Sequence, residues 1–155
     1  MDAASNGPRS YPQTAGIEPN KALVTILVVE DNWVARQIVK ATLESRGYSV
    51  LLAANGRSAM EIMGSGGCDL VLLDLMLPDV EGATLLERLR RLPGGEQIPI
   101  LAFSAFVSRL EDLRKMGARF NAYIAKPVEP QALIEIVEEN LRNPTPAPSP
   151  ALYVL

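Results

Sequence analysis

The chain has 155 residues, which is about the size of one domain with short tails, and its hydrophobic fraction of 48% is sufficient for one packed core. A net charge of −3 without an extended basic region argues against nucleic-acid binding, and the absence of histidine excludes a histidine-based catalytic triad and histidine metal ligands. Cys68 is the single cysteine, so no internal disulfide can form. We interpret the short basic cluster Arg88, Arg90 and Arg91 as a solvated helix face.

Both ends of the chain are predicted to be tails around one folded domain of residues 22–142. Residues 1–21 form a predicted flexible leader, because they are rich in Gly, Pro, Ser and Asn and cannot bury enough surface to offset the loss of chain entropy. Residues 143–155 contain alternating prolines before a short apolar end, which favours a disordered tail. The chain starts without a signal-peptide pattern and lacks a long apolar run, so we expect a cytoplasmic protein that does not bind membranes.

Short aliphatic runs alternate with segments of helical period five times along the domain. The runs are Leu23 to Val29, Tyr48 to Ala53, Asp69 to Asp74, Ile98 to Ser104 and Ala122 to Ala125. Their apolar residues occupy successive positions, as is typical of strands covered on both faces. After each run, apolar residues recur every three or four positions, as Leu133, Val137 and Leu141 do, which predicts a helix. Right-handed crossovers between such units give a parallel sheet with helices on both faces.

The predicted fold is therefore a flavodoxin-like, doubly wound α/β domain with five helices and a five-stranded parallel sheet in the order 2-1-3-4-5. Residues suited to helix ends agree with this division. Asn32 and Asn55 can cap the first two helices, Gly47 and Gly117 follow the first and fourth, and Pro130 suits the first turn of the fifth.

Polar side chains stand where the apolar strands end, and these ends form the ligand-binding edge of a doubly wound sheet. They are Glu30 and Asp31 after the first strand, Asp74 at the third, Ser104 at the fourth and Lys126 after the fifth. A single polar residue could simply mark the start of a loop, but this explanation is much weaker for all of them together. Three carboxylates in one crevice would repel one another unless a cation neutralised them, and oxygen ligands without His or Cys indicate Mg²⁺.

These residue types are suited to phosphoryl transfer. A carboxylate held next to Mg²⁺ can act as a nucleophile toward a phosphoryl group and form an acyl phosphate. Lys126 can supply a fixed positive charge, and the Ser104 hydroxyl can donate a hydrogen bond to a phosphoryl oxygen.

The stretches ILVVEDN, LVLLDLMLPDVEG, ILAFSA and YIAKP resemble the receiver domains of response regulators, and the resemblance extends from residue 23 to about residue 142. It implies that Asp74 is the phosphorylation site and a Mg²⁺ ligand. It also implies that Glu30 and Asp31 organise the metal, with Asp31 as a direct ligand, and that the backbone carbonyl of Met76 supplies a further ligand oxygen.

The same resemblance implies a conformational switch. Ser104 and Tyr123 match the family's switch positions, Lys126 matches its active-site lysine, and the Lys126–Pro127 peptide is expected to be cis. Phosphorylation would draw Ser104 toward Asp74 and let Tyr123 enter the space that Ser104 leaves. This would change the surface formed by the fourth helix, the fifth strand and the fifth helix.

The partners follow from the resemblance and from the lack of histidine. A histidine kinase or a histidine phosphotransfer protein would donate the phosphoryl group, and a protein target that the sequence does not identify would read the result. The chain would catalyse only its own phosphorylation and dephosphorylation, as a monomer or a phosphorylation-dependent dimer.

Three alternatives remain open. The first is a receiver excised from a hybrid histidine kinase, which the EDN motif followed by Arg36 and Gln37 favours, although the tails look natural for a stand-alone regulator. The second is a pseudo-receiver that binds a partner without phosphorylation, but every residue type of an acceptor site is present. The third is an aspartyl phosphatase, which is disfavoured because Met76 stands where such enzymes carry a second Asp.

Overall fold

The computed structural model describes residues 24–145 and 150–154, so the predicted leader of residues 1–21 lies outside the described residues. Strands and helices alternate along the whole described chain. They are β1 (Thr25–Val29), α1 (Trp33–Glu44), β2 (Ser49–Ala53), α2 (Gly56–Gly64), β3 (Leu70–Asp74), α3 (Gly82–Arg91), β4 (Ile100–Ser104), α4 (Val107–Lys115), β5 (Ala122–Ala125), α5 (Pro130–Arg142) and β6 (Leu152–Tyr153).

The strands form one parallel sheet in the order β2-β1-β3-β4-β5-β6. The predicted α/β class, the order of the first five strands and the five helices are confirmed. The sheet differs from the prediction by its sixth strand, and the expectation of a disordered tail is wrong for Leu152 and Tyr153. These two residues pair with the edge of β5, whose backbone groups would otherwise lack partners on that side.

The central strands are buried because they contribute alternate side chains to two apolar clusters, one on each face of the sheet. In β1, Leu27 and Val29 pack into the cluster that α2, α3 and α4 cover. Ile26 and Val28 of the same strand pack into the cluster that α1 and α5 cover. This arrangement explains the continuous apolar runs, since both faces of the central strands are covered.

The predicted helix ends are confirmed. Asn32 and Asn55 accept hydrogen bonds from the backbone N–H groups of Ala35 and Ser58, both at 2.8 Å, and so cap α1 and α2. Gly47 follows α1 with a φ of 90°, in the left-handed region that favours glycine. No helix of the described residues is long and apolar enough to cross a lipid bilayer.

The interpretation of the basic cluster is wrong for Arg90, which is only 3% exposed, whereas Arg88 and Arg91 are exposed. Its guanidinium lies at the end of α3 that faces the amino ends of β4 and β5. Its hydrogen-bond acceptors are the carbonyl oxygens of Gly95, Ile98 and Arg119 and the Oδ1 atom of Asn121, at 2.5 to 2.9 Å. Burial lowers the pKa of Arg90, and the nearby charge of Arg119 lowers it further. These four acceptors replace the water that a solvated arginine would have.

Candidate functional site

Three carboxylates meet at the carboxyl ends of β1 and β3. These strands are neighbours, and their register pairs Val29 with Leu73, so Glu30 and Asp74 each follow one residue later on adjacent strands. One oxygen of Glu30, one of Asp31 and one of Asp74 lie within 4.8 Å of one another. Glu30 and Asp74 are 2% and 4% exposed, whereas Asp31 is exposed. Negative charge is therefore concentrated in a partly buried pocket that remains open to solvent on one side.

The Lys126 ammonium faces this acidic pocket. Its Nζ atom lies 2.5 Å from Glu30 Oε1 and 3.0 Å from Asp74 Oδ2, and 4.8 Å from the centre of the Phe103 ring. Burial alone would lower the pKa of Lys126, but the hydrogen bonds and charges of Glu30 and Asp74 raise it above its ordinary value. Lys126 is therefore held as a cation, and it contacts two of the three carboxylates.

Backbone groups fix the two buried carboxylates. The Oε2 atom of Glu30 accepts from the N–H of Asn32 at 3.1 Å, and Asp74 Oδ1 accepts from the N–H of Met76 at 2.9 Å. Arg36 of α1 donates to the carbonyl oxygen of Glu30 at 2.7 Å and holds the loop after β1. Sequence reasoning noted Arg36 only as a family feature, although its place one turn into α1 after the acidic pair could have indicated this contact.

Backbone and side-chain hydrogen bonds hold the loop between β3 and α3 in place. Met76 forms an isolated antiparallel bridge with Glu81, so the backbone around the Met76 carbonyl is ordered. The Asp79 carboxylate accepts from the first amides of α2, those of Gly56 and Arg57, at 2.9 and 3.0 Å. The hydrogen bond from Gly56 is the main reason that the pKa of Asp79 is lowered. Sequence reasoning missed Asp79, because its partners are more than 20 residues away.

Gly82 begins α3 against the end of β3. A Cβ atom at this position would lie 2.7 Å from the Cα atom of Leu75, which real Cβ atoms do not approach so closely. Only glycine lets the two backbones pack at this distance. The start of α3 is thereby set close to the residue that follows Asp74.

Ser104 and Tyr123 lie on neighbouring strands and are both fully buried. The Ser104 hydroxyl accepts from the N–H of Phe106 at 3.1 Å. Tyr123 donates its hydroxyl proton to the carbonyl oxygen of Ala118 at 3.0 Å and packs edge-on against the Phe120 ring. Burial raises the pKa of Tyr123 to about 12, against the opposing charge of Arg114. The ring that was expected to move inward already lies inside the protein in this structure.

Glu30, Asp31, Asp74 and Lys126 therefore meet in one pocket, and Ser104 ends β4, the strand next to β3. Tyr123 lies further along the sheet from the carboxylates, on the strand that leads to Lys126. The Lys126–Pro127 peptide bond is cis.

A doubly wound parallel sheet with acidic residues and a lysine at its carboxyl edge defines the class of protein. The family described as the response regulator receiver domain matches residues 26–138, and the chain belongs to this family of signalling domains.

Several characterised and uncharacterised proteins are similar in sequence. The chain is 32% identical over 118 residues to a 14.6 kDa protein of Leptolyngbya boryana, covering 76% of this chain and 90% of that protein. It is 35% identical over 123 residues to the response regulator MprA of Mycolicibacterium vanbaalenii, covering 79% and 52% of the two chains. The signal transduction histidine-protein kinase BarA of Escherichia coli is 30% identical over 116 residues, which are 75% of this chain and 13% of the kinase. The chain thus spans about half of MprA and a small part of BarA.

Solved structures share the fold. The receiver domain of the sensor histidine kinase PA1611 from Pseudomonas aeruginosa aligns with a TM-score of 0.70 at 32% identity, covering 77% of this chain and 98% of that domain, and it holds a magnesium ion in its active site cleft. A CheY-like receiver domain from Methanospirillum hungatei aligns with a TM-score of 0.71 at 32% identity, covering 77% and 94%.

Proposed function

We propose that the chain accepts a phosphoryl group on Asp74 from a phosphohistidine of a histidine kinase or a histidine phosphotransfer protein. The observation that carries the proposal is the charge balance of the site. Glu30, Asp31 and Asp74 bring three carboxylates together, and among the described residues the one cation that forms ion pairs with them is Lys126, with Glu30 and Asp74. Such an excess of negative charge is favourable only where a further cation binds.

Mg²⁺ fits this set of donors. The oxygens of Glu30, Asp31 and Asp74 lie within 4.8 Å of one another, and hard oxygen ligands without sulfur or imidazole suit Mg²⁺. These residues and the backbone carbonyl of Met76 would hold the ion. When bound, it would supply positive charge to the transferring phosphoryl oxygens. The magnesium ion in the 32% identical PA1611 receiver domain supports this assignment.

The chain's own residues can carry out the transfer. Asp74 Oδ2 or Oδ1 attacks the phosphorus atom of the partner's phosphohistidine, a new P–O bond forms, the P–N bond breaks, and its electron pair remains on the imidazole nitrogen. Lys126, at 3.0 Å from Asp74, is placed to offset the charge on the phosphoryl oxygens. The Ser104 hydroxyl would donate to one of these oxygens after leaving its present hydrogen bond with Phe106.

The conformational change that lets a partner recognise the phosphorylated state would depend on Ser104 and Tyr123. Movement of Ser104 toward Asp74 changes the β4–α4 connection, to which Ser104 is hydrogen-bonded through Phe106. Tyr123 lies on the adjacent strand and contacts the loop before β5 through Ala118. Together these residues would shift the surface of α4, β5 and α5 between two states, and a protein partner would bind one of them.

Incubation with acetyl phosphate and Mg²⁺ tests the proposal. Intact-protein mass spectrometry should show one added phosphoryl group, which EDTA prevents and which the Asp74→Asn variant does not acquire. Asp112→Asn is the matched control, because it removes an exposed carboxylate of α4 and should be modified like the natural chain. Absence of modification in the natural chain would instead favour a receiver that binds its partner without phosphorylation.

A receiver that forms part of a hybrid histidine kinase is the second candidate, because BarA and the PA1611 receiver domain are at least 30% identical to this chain. As part of a hybrid kinase, the receiver would pass its phosphoryl group on to a phosphotransfer protein. Phosphotransfer profiling with purified histidine kinases and phosphotransfer proteins separates the two. Onward transfer from Asp74 to a phosphotransfer protein would favour the second candidate.

A further inference from the structure

The described C-terminal residues, 150–154, lie along the outer edge of β5. Leu152 pairs with Tyr123 and Tyr153 with Ile124 in parallel register. The backbone N–H of Tyr123 donates to the carbonyl oxygen of Ala151 at 3.0 Å. The residue expected to act as the aromatic switch is therefore hydrogen-bonded through its backbone to the end of the chain.

A second contact joins this C-terminal segment to α4. Arg114 donates from Nε to the carbonyl oxygen of Pro150 at 2.6 Å. Leu152 packs into the cluster that contains Tyr123 and Leu113 of α4, while Tyr153 packs on the opposite face, in the cluster of Ile124. The segment thus has contacts with both α4 and β5, two of the three elements whose surface is proposed to change.

The C-terminal segment does not fill the space between β5 and α5. A groove of about 380 Å³ separates it from α5 and is lined by Ala132, Ile136 and Val128 together with Leu152 and Tyr153. Both of these strand residues remain partly exposed. A strand of two residues is much shorter than the usual strand and belongs to the weakly held parts of a fold.

We propose that residues 150–154 are an exchangeable occupant of the β5 edge, which leaves when Asp74 is phosphorylated and exposes that edge to an extended, apolar segment of a protein partner. The inference rests on the proposed function of Asp74. Tyr123 N and Arg114 Nε, two hydrogen-bond donors that hold the segment, belong to the surface that would change. An uncovered strand edge next to an apolar groove is suited to binding an added strand.

A connected set of contacts links Asp74 to the segment. Ser104 ends β4, and its carbonyl oxygen accepts from the N–H of Lys126 at 2.8 Å, just beyond β5. Residues of α4 share an apolar cluster with Tyr123, and Leu152 packs against this cluster. Displacement of Ser104 and of the start of α4 would alter the surface into which Leu152 packs.

Hydrogen exchange of the Tyr123 amide in the full chain tests the inference, because this N–H donates to the segment. In the Leu152→Asp variant, a charge at a partly buried position should release the segment and speed exchange of this amide by about tenfold or more. Thr145→Asp introduces the same charge at an exposed position before the segment and should exchange like the natural chain. Equal exchange rates in the two variants would overturn the inference, and the milder Leu152→Ala should give an intermediate rate.

Beryllofluoride with Mg²⁺, which imitates a phosphoryl group on a carboxylate, tests the coupling. It should speed exchange of the Tyr123 amide in the natural chain to the rate of Leu152→Asp. Binding is followed independently by NMR at the Met76 and Phe106 amides, which donate to Asp74 and Ser104. If the Met76 and Phe106 amides respond and the Tyr123 amide does not, the proposed release of the segment is refuted and the proposed function is not. No response at any of them refutes both the proposed function and the coupling.

Discussion

The partly buried Lys126 and the buried Arg90 are two cations at opposite ends of the parallel sheet, and their partners differ in kind. Lys126 faces Glu30 and Asp74 at the carboxyl ends of the strands. Arg90 donates only to neutral acceptors near the amino ends of β4 and β5, three backbone carbonyls and the Asn121 amide oxygen. An arginine whose partners are neutral acceptors holds loops together and has a structural role. A lysine beside several carboxylates instead indicates a binding site, here for a metal cation and a phosphoryl group.

The largest expected difference is in phosphoryl transfer. The Lys126→Met variant should accept the phosphoryl group from acetyl phosphate roughly 10²-fold or more slowly, because a preorganised charge next to the transferring group is lost. Mass spectrometry over time measures the rate. Lys115→Met is the control, since it removes an exposed lysine of α4 and should leave the rate unchanged. If Lys126→Met accepted the phosphoryl group at the rate of the natural chain, Lys126 would have no role in the transfer.

The next effect is on stability. The Arg90→Met variant removes a donor from four buried or partly buried acceptors, and at about 0.5–1 kcal/mol for each, the free energy of unfolding should fall by about 2–4 kcal/mol. Urea denaturation measures the change. Arg91→Met alters the exposed neighbour in α3 and should change the stability by less than about 0.5 kcal/mol. If the two variants unfolded at the same urea concentration, Arg90 would not be a structural link.

Magnesium binding should have a smaller effect on stability, and only at the carboxyl end of the sheet. Saturating Mg²⁺ should raise the free energy of unfolding of the natural chain by about 1–3 kcal/mol, since an ion that binds only the folded state stabilises it. Thermal unfolding with and without EDTA measures this gain. The Asp31→Asn variant should lose most of it, while Arg91→Met should retain it. An equal gain in Asp31→Asn would place the ion elsewhere.

The smallest effect concerns the buried phenol of Tyr123. Its pKa of about 12 lies above the ordinary value of 10.0, so the phenol should ionise about two pH units higher than an ordinary tyrosine. Because the unfolded chain ionises first, this group favours the folded state fully below pH 10, and that contribution disappears as the pH rises toward 12. The difference in tyrosinate absorbance between the natural chain and Tyr123→Phe measures the step, and a midpoint near 10 would contradict it.

Sequence reasoning could find Lys126 but not the role of Arg90. Lys126 directly follows an apolar strand, and this local signal determines its end of the sheet. The surroundings of Arg90 depend on Asn121, which is 31 residues away, and on backbone carbonyls of two later loops. A partial signal was present, because Arg90 lies four residues after Leu86 and therefore on the apolar side of α3.

The sixth strand was missed for a related reason. The alternation of strands and helices is a pattern over many residues, so the order of five strands could be predicted. Leu152 and Tyr153 are too few to show a period, and their place depends on the free edge of β5 and not on their own sequence. The cluster of Glu30, Asp31 and Asp74 was predictable because parallel strands bring their carboxyl ends together.

The two hydrogen bonds from α2 to Asp79 have a thermodynamic consequence. They tie down the loop that carries the Met76 carbonyl, so this loop loses its conformational freedom when the protein folds and not when a ligand arrives. Ligand association should therefore proceed with little ordering entropy, and calorimetry should show a small heat-capacity change. The hydrogen bonds from α2 to Asp79 thus lower the entropic cost of occupying the pocket.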